Sequence, residues 1–357
     1  MRIEPRQNLS KILLIAVPIL SSIAALLLAA IPISFAGANV LQAYQEMFIG
    51  AFGSVFSISE MLTRATPLIF TGLAAALAFR ARLWNIGAEG QLYLGALLSV
   101  VVGTGYFDLP PLLLMPMIIL CGAMAGAAGM AVPTLLKVRF GADEVVTTLL
   151  LNFVILIFIQ MMLEGALKDP MGLGWPQSSP IVEEAMLPQL LPRMRVHSGL
   201  IIAVFCAVIV HFMLSRTVWG FRVRAVGENS VAAGYAGIPV NRSLFMVAIF
   251  SGALAGLAGV SEVAGLKGYL TADLSPGFGY TGIVVAMLAG LSPLGVVLAA
   301  LFIASVFVGA DSMSRAMGVS SYLADLVVAL SLLSVLIGGF VTRFRVVWSQ
   351  KHSEGGK

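Results

Sequence analysis

Residues Ile12–Ile33 read ILLIAVPILSSIAALLLAAIPI, without one Asp, Glu, Lys or Arg. A helix rises 1.5 Å per residue, so about 20 apolar residues cross the hydrocarbon core of a bilayer. This run is long enough. Arg2, Arg6 and Lys11 precede it, and Ala36-Gly37-Ala38 follows it like a cleavage site. Signal-peptide cores are shorter, about 7–15 residues, and many further spans follow here. We read the run as a retained signal anchor.

Nine further apolar runs lie near 57–79, 84–104, 112–136, 144–163, 199–215, 243–263, 280–294, 295–310 and 322–341. Of 357 residues, 59% are hydrophobic and 11% charged, with mean hydropathy +0.99. Soluble domains carry about 25% charged residues, so a single water-soluble core is excluded. The expectation is an all-α fold, a polytopic membrane helix bundle forming one transmembrane domain over residues 1–357. It has about ten transmembrane helices, some short or broken. A tight break at Leu291-Ser292-Pro293-Leu294-Gly295 separates the eighth and ninth.

Basic residues mark the cytoplasmic ends of spans. With the N-terminus inside, all 21 Lys and Arg fall at such ends except Arg64, Lys168, Arg193, Arg195, Lys267 and Arg315. Acids including Glu46, Asp108, Glu164, Asp169, Glu183, Glu184, Asp273 and Asp311 go outside. Both termini are then cytoplasmic. Of two long external stretches, 34–56 holds an amphipathic piece, Leu41 to Phe52, suited to the membrane surface. The other, 164–198, carries Pro170, Pro176, Pro180, Pro188 and Pro192 and suits the docking of an external partner. The main internal loop is about 216–242. Gly122 with Gly126, and Gly252 with Gly256, form small-residue faces for close helix packing, within the chain or against another subunit.

The net charge of +4 is too diffuse for nucleic acid. Cys121 and Cys206 lie far apart in apolar runs, and His197, His211 and His352 show no ligand spacing, so no metal is expected. The chain has no GxxxxGK[ST] phosphate loop, no HExxH and no GxSxG, so no catalytic residue and no cofactor are expected in it. Gly277-Phe-Gly-Tyr-Thr-Gly282 matches GxGxxG without a preceding strand and reads as a chance match or a helix break.

Two stretches carry the functional reading. In Arg80-Ala-Arg-Leu-Trp-Asn-Ile-Gly-Ala-Glu-Gly-Gln-Leu-Tyr-Leu-Gly95, the polar Asn85, Glu89 and Gln91 stand among Gly87 and Gly90 at the start of an apolar span. Broken backbone is tolerated in a membrane only against protein or a water-filled path. These three residues are therefore candidates for the translocation pathway or for bracing it. Alternatively Glu89 sits at the interface, paired with Arg80 or Arg82. The second stretch, Arg222 to Arg242, is basic at both ends and suits a short helix from about Ser230 to Tyr235. Asn229 would cap that helix, and Gly237 and Pro239 would stop it.

Together the stretches are recognisable. Asn85-Ile-Gly-Ala-Glu-Gly-Gln91 resembles the signature of permeases in the branched-chain amino acid and simple-sugar ABC importer family, nucleoside-uptake branch. Gly227-Glu-Asn-Ser-Val-Ala-Ala-Gly-Tyr-Ala-Gly-Ile238 looks like that family's ATPase-coupling loop, matching at Gly227, Asn229, Ala232, Ala233, Ala236, Gly237 and Ile238. Tyr44, Gly50-Ala-Phe-Gly-Ser54 and Leu288-Ala-Gly-Leu-Ser-Pro-Leu-Gly295 are similar to further family segments. The resemblance covers roughly residues 40 to 340. It implies a permease subunit in the bacterial inner membrane that imports a small polar solute, a nucleoside or simple sugar. It also implies a second, different permease chain, two cytoplasmic subunits holding ATP and Mg, and an external substrate-binding protein. The competing class is an ion-coupled secondary transporter, for which Glu60, Glu89, Glu262 and Asp325 would be the candidate acids. A membrane-embedded enzyme lacks any nucleophile–base or metal pattern.

Overall fold

The computed structural model describes residues 2–5, 11–105, 107 and 110–347. Arg6, Asp108, Lys351, His352 and Lys357, which entered the reading of charge and ligands, lie outside the described residues. The helices are α1 (Lys11–Phe35), α2 (Val40–Phe52), α3 (Val55–Arg80), α4 (Ala88–Gly103), α5 (Pro111–Phe140), α6 (Glu144–Glu164) and α7 (Gly199–Arg216). After these come α8 (Val218–Glu228), α9 (Ser230–Tyr235), α10 (Val240–Glu262), α11 (Phe278–Leu288), α12 (Pro293–Met317) and α13 (Ser321–Arg343). Their ends follow local chemistry. Asp143 caps α6, its Oδ1 accepting from the N–H groups of Val145 (2.8 Å) and Val146 (3.2 Å). Pro111 opens α5 and Gly141, at φ +70°, closes it.

Helices stand at all ten expected positions, but fewer are long enough to cross. Among the described residues seven helices suffice, or eight if Ile23–Phe35 and Val40–Phe52, bent by 117° at a break between them, count as one span. Two of the ten expected positions hold the short helices expected among them. α4 has 16 residues and α11 has 11. At 1.5 Å per residue they reach about 24 and 16 Å, short of a roughly 30 Å core. The reason is backbone chemistry at their ends. Gly277, at φ +88°, precedes α11, and Gly290 and Leu291, both at φ +60°, turn the chain before Pro293.

The chain forms two compact units, residues 1–50 with 309–357, and residues 51–308. In the first, α1 lies along α13. Its core is Ala29, Ile33, Ala43, Met313 and Val327, and the Tyr44 hydroxyl donates to the Leu26 carbonyl. Strands β1 (Arg2–Pro5) and β2 (Phe344–Val347) pair antiparallel there.

In the second unit α3 is the buried central helix, packed against α7, α10 and α11. The small-residue faces lie between helices of this chain. A Cβ on Gly126 would stand 2.3 Å from the Gly252 carbonyl oxygen, and one on Gly95 would stand 2.1 Å from that of Gly256. Backbones so close gain dispersion contact that lipid cannot offer. α6 lies at the periphery, with Leu150, Phe153, Val154 and Ile157 exposed. Beyond Glu164, the last residue of α6, the stretch to 198 is non-helical except for a single turn at Glu183–Ala185, tied by isolated bridges such as Gln177 to Thr271.

Candidate functional site

Asn85, Glu89 and Gln91 are all inside the protein, 0%, 3% and 1% exposed. Asn85 and Gln91 form a reciprocal amide clasp. Asn85 Nδ2 donates to Gln91 Oε1 and Gln91 Nε2 donates to Asn85 Oδ1, each at 2.9 Å. Asn85 also donates to Ser251 Oγ (3.0 Å) and accepts from the Gly87 N–H (2.9 Å). Ser251 in turn donates to the Ala74 carbonyl (2.8 Å). The clasp thus fastens the loop before α4 to α10 and α3. A fully satisfied buried network of this kind fixes one arrangement of the backbone.

Glu89 has a different partner from the arginines considered above. Its Oε2 accepts from the Gly279 N–H at 2.6 Å. Ser275 Oγ accepts from the N–H groups of Gly277 (3.1 Å) and Phe278 (2.9 Å). Glu89 and Ser275 together satisfy the N–H groups of Gly277, Phe278 and Gly279 at the start of α11, where the helix dipole favours negative charge. Tyr93 completes the joint, its hydroxyl donating to the Ala272 carbonyl (2.7 Å) and accepting from the Ser275 N–H (3.2 Å).

Sequence reasoning missed the supports of this loop. Glu144, Thr148 and Asn152 recur every fourth residue, which aligns them on one face of α6. Glu144 Oε1 accepts from the Trp84 N–H (3.4 Å) and Thr148 Oγ1 from the Ile86 N–H (3.3 Å). Asn152 Oδ1 accepts from the Gly90 N–H, while its Nδ2 donates to the Ile86 carbonyl, both at 2.9 Å. The readable signal was a polar stripe of period four in an otherwise apolar span.

The second predicted segment is built as a separate surface. Asn229 Oδ1 accepts from the N–H groups of Val231 (3.1 Å) and Ala232 (3.0 Å), and α9 runs over Ser230–Tyr235. Gly237 ends it at φ +80°, and Val231 and Tyr235 project outward, 67% and 91% exposed. Ala233 is buried, Ala232 and Ala236 are exposed and Ile238 is half-buried. Gly227 is pressed against α3, where a Cβ would stand 2.0 Å from the Arg80 carbonyl oxygen. From the same residue the guanidinium of Arg80 donates to the Leu291 carbonyl at 2.9 Å. The end of α3 therefore joins the 227–238 segment to the break between α11 and α12.

Of the acids of the ion-coupled reading, Glu60, Glu89 and Glu262 belong to the second unit and Asp325 to the first. Glu60 pairs with Arg195 at 3.4 Å, and Glu262 is buried at the end of α10. Among the described residues no three His, Cys, Asp or Glu side chains gather in a metal-holding group. His197, outside the spans, is buried; its Nδ1 accepts from the Gly199 N–H at 3.2 Å, and burial pushes the imidazole down to about 4.

Residues 57–336 match the family described as "Branched-chain amino acid transport system / permease component". The glucose ABC transporter permease protein TsgB13 of Haloferax volcanii is 35% identical over 356 residues, covering 97% of this chain and 93% of the relative. The guanosine ABC transporter permease protein NupP of Bacillus subtilis is 36% identical over 326 residues, 89% and 92% of the two chains. A second guanosine permease protein of that organism, NupQ, is 28% identical over 260 residues, 69% and 78%. With its apolar helices, its two matching motifs and these similarities, the chain belongs to the branched-chain amino acid permease family and is a permease subunit of an ABC importer.

Proposed function

We propose that this permease imports a nucleoside or simple sugar across the bacterial plasma membrane, with both chain ends in the cytoplasm. Residues 1–357 are read as one transmembrane domain. The observation that carries the solute class is similarity to permeases named for guanosine and glucose over most of both chains. A second feature favours an uncharged solute. A free helix N-terminus inside a transporter attracts anionic groups, but here that of α11 is taken by Glu89 and Ser275.

The partners proposed are a second, different permease chain, two cytoplasmic subunits that bind and hydrolyse ATP with Mg, and an external binding protein docking on residues 164–198. The occurrence of two guanosine permease proteins in one organism supports a pair of unlike permeases. We assign the contact with the ATPases to Gly227, Asn229, Ala232, Ala233, Ala236, Gly237 and Ile238. Exposed Val231 and Tyr235 on a capped helix suit insertion into another protein. Asn85, Glu89 and Gln91 are assigned to bracing the helices beside the route. The Asn85–Gln91 clasp, the bond from the Gly279 N–H to Glu89 and the burial of all three support bracing over direct contact with solute.

The test is uptake by the reconstituted importer. Labelled guanosine or labelled glucose should enter liposomes only with ATP inside and binding protein outside. Uptake driven by a proton or sodium gradient without ATP would overturn the reading. Gly237→Val should leave ATP hydrolysis in place and abolish uptake.

A further inference from the structure

The turn that closes α3 holds an arginine where a glycine belongs. The Arg82 N–H donates to the Phe79 carbonyl (3.0 Å) and the Leu83 N–H to that of Ala78 (3.1 Å), the paired bonds of a Schellman helix end. That turn requires one left-handed residue, and Arg82 supplies it at φ +52°. A side chain in this conformation crowds the backbone, so glycine is the usual occupant. The chain keeps to that preference elsewhere. The bond made by Leu83 is also made by Ala38 to Ile33 after α1, Ile238 to Ala233 after α9, Leu291 to Ala286 after α11 and Val319 to Ser314 after α12. The residues preceding these four donors are Gly37, Gly237, Gly290 and Gly318, all at positive φ.

The turn gives the Arg82 side chain a fixed point of departure. Ala81 and Leu83 on either side are buried, 3% and 0% exposed, while Arg82 is exposed. Its guanidinium makes no hydrogen bond or ion pair with a described residue. The turn also lies against the start of the segment assigned to the ATPase. A Cβ on Gly227 would stand 2.0 Å from the Arg80 carbonyl oxygen and 3.3 Å from the Ala81 Cα. Disfavoured backbone conformations gather at sites of function, and a guanidinium presents a rigid fork that a carboxylate meets with two parallel bonds.

We propose that Arg82 is a further contact for the ATPase, pairing with a carboxylate on it beside the 227–238 segment. The assignment rests on the reading of that segment given above. A lipid headgroup fits less well. It is mobile and makes no demand on where a guanidinium leaves the backbone, and Arg139 and Arg216, exposed on the ordinary helices α5 and α7, suffice for it.

The experiment places the permease pair in nanodiscs, with this chain as wild type, Arg82→Gly, Arg82→Lys or Tyr235→Ala. The labelled ATPase subunit of the reconstituted importer is added in steps. Arg82→Gly relieves the turn, so without ATPase its melting temperature should stay level or rise by about 2 °C. Its Kd for the ATPase should nevertheless weaken about tenfold, a combination that a purely structural residue does not give. Arg82→Lys keeps the charge without the fork and should fall between. The loss should be equal in phosphatidylcholine and phosphatidylglycerol discs. An unchanged Kd in Arg82→Gly overturns the proposal, and so does a lowered melting temperature, which would make Arg82 a residue of the fold. Weakening confined to phosphatidylglycerol discs assigns Arg82 to lipid and overturns it too. Tyr235→Ala separates this inference from the reading beneath it. If Tyr235→Ala weakens binding and Arg82→Gly does not, the Arg82 contact alone fails; if neither does, the 227–238 contact fails with it.

Discussion

The Asn85–Gln91 segment and the Asn229–Ile238 segment look alike in sequence, both short, glycine-containing and polar beside apolar spans. Their environments are opposite. The first buries every polar side chain and spends the Asn85 and Gln91 amide donors on each other and on Ser251, inside this chain. The second caps one turn of helix and leaves apolar Val231 and Tyr235 outside. Polarity within a membrane thus serves internal bracing, while exposed apolar groups on a capped helix mark the surface suited to a partner.

The sharpest way to break the comparison is at the α4–α11 joint. A Cβ on Gly279 would stand 2.2 Å from the Glu89 backbone nitrogen. Gly279→Val should exceed the usual overpacking cost of about 1–3 kcal/mol and give little folded protein by size-exclusion chromatography. Normal yield and melting would show that the contact is not close.

His197 tests a buried polar group outside the spans. Its imidazole is held down to about 4 by burial, against about 6.5 in an unfolded chain. The neutral form is thus favoured in the fold, so stability is full above pH 6.5 and falls as pH drops toward 4. The loss is about 3 kcal/mol across that window. Melting temperature should decline there in wild type and be flatter in His197→Gln; parallel curves would exclude the imidazole.

Smaller effects separate the three braces. Asn85→Ala leaves Gln91 and the Gly87 N–H short of partners, at a cost of about 1–3 kcal/mol. Glu89→Ala should cost a similar amount through the Gly279 N–H, whereas Glu89→Gln keeps an acceptor there and should lose less, with uptake largely retained. If Gln and Ala abolish uptake alike at normal expression and melting, the charge of Glu89 is used in transport itself. If both transport normally, the assignment to the route fails.

Least disturbing to the fold is Tyr235→Ala. Its side chain is 91% exposed, so stability should change by no more than about 0.5 kcal/mol. ATP-driven uptake should nevertheless fall sharply. Full uptake would move the partner surface away from α9.

Chemistry local to the chain was legible in the sequence. Apolar runs located the helices, because the cost of unpaired backbone in lipid leaves few alternatives. Asn229, Gly237 and Pro239 bounded α9, because capping and a left-handed turn act over a few neighbouring residues. What required the tertiary structure was which distant groups meet. Nothing near Glu89 in sequence announces Gly279, and nothing near Trp84 or Ile86 announces Glu144 and Thr148. The lengths of the helices also depended on it, since α4 and α11 are apolar enough to read as spans yet shorter than a full crossing. A hydrogen bond needs its partners within about 3 Å, and only the packing of α4, α6, α10 and α11 brings residues so far apart in the chain to that distance.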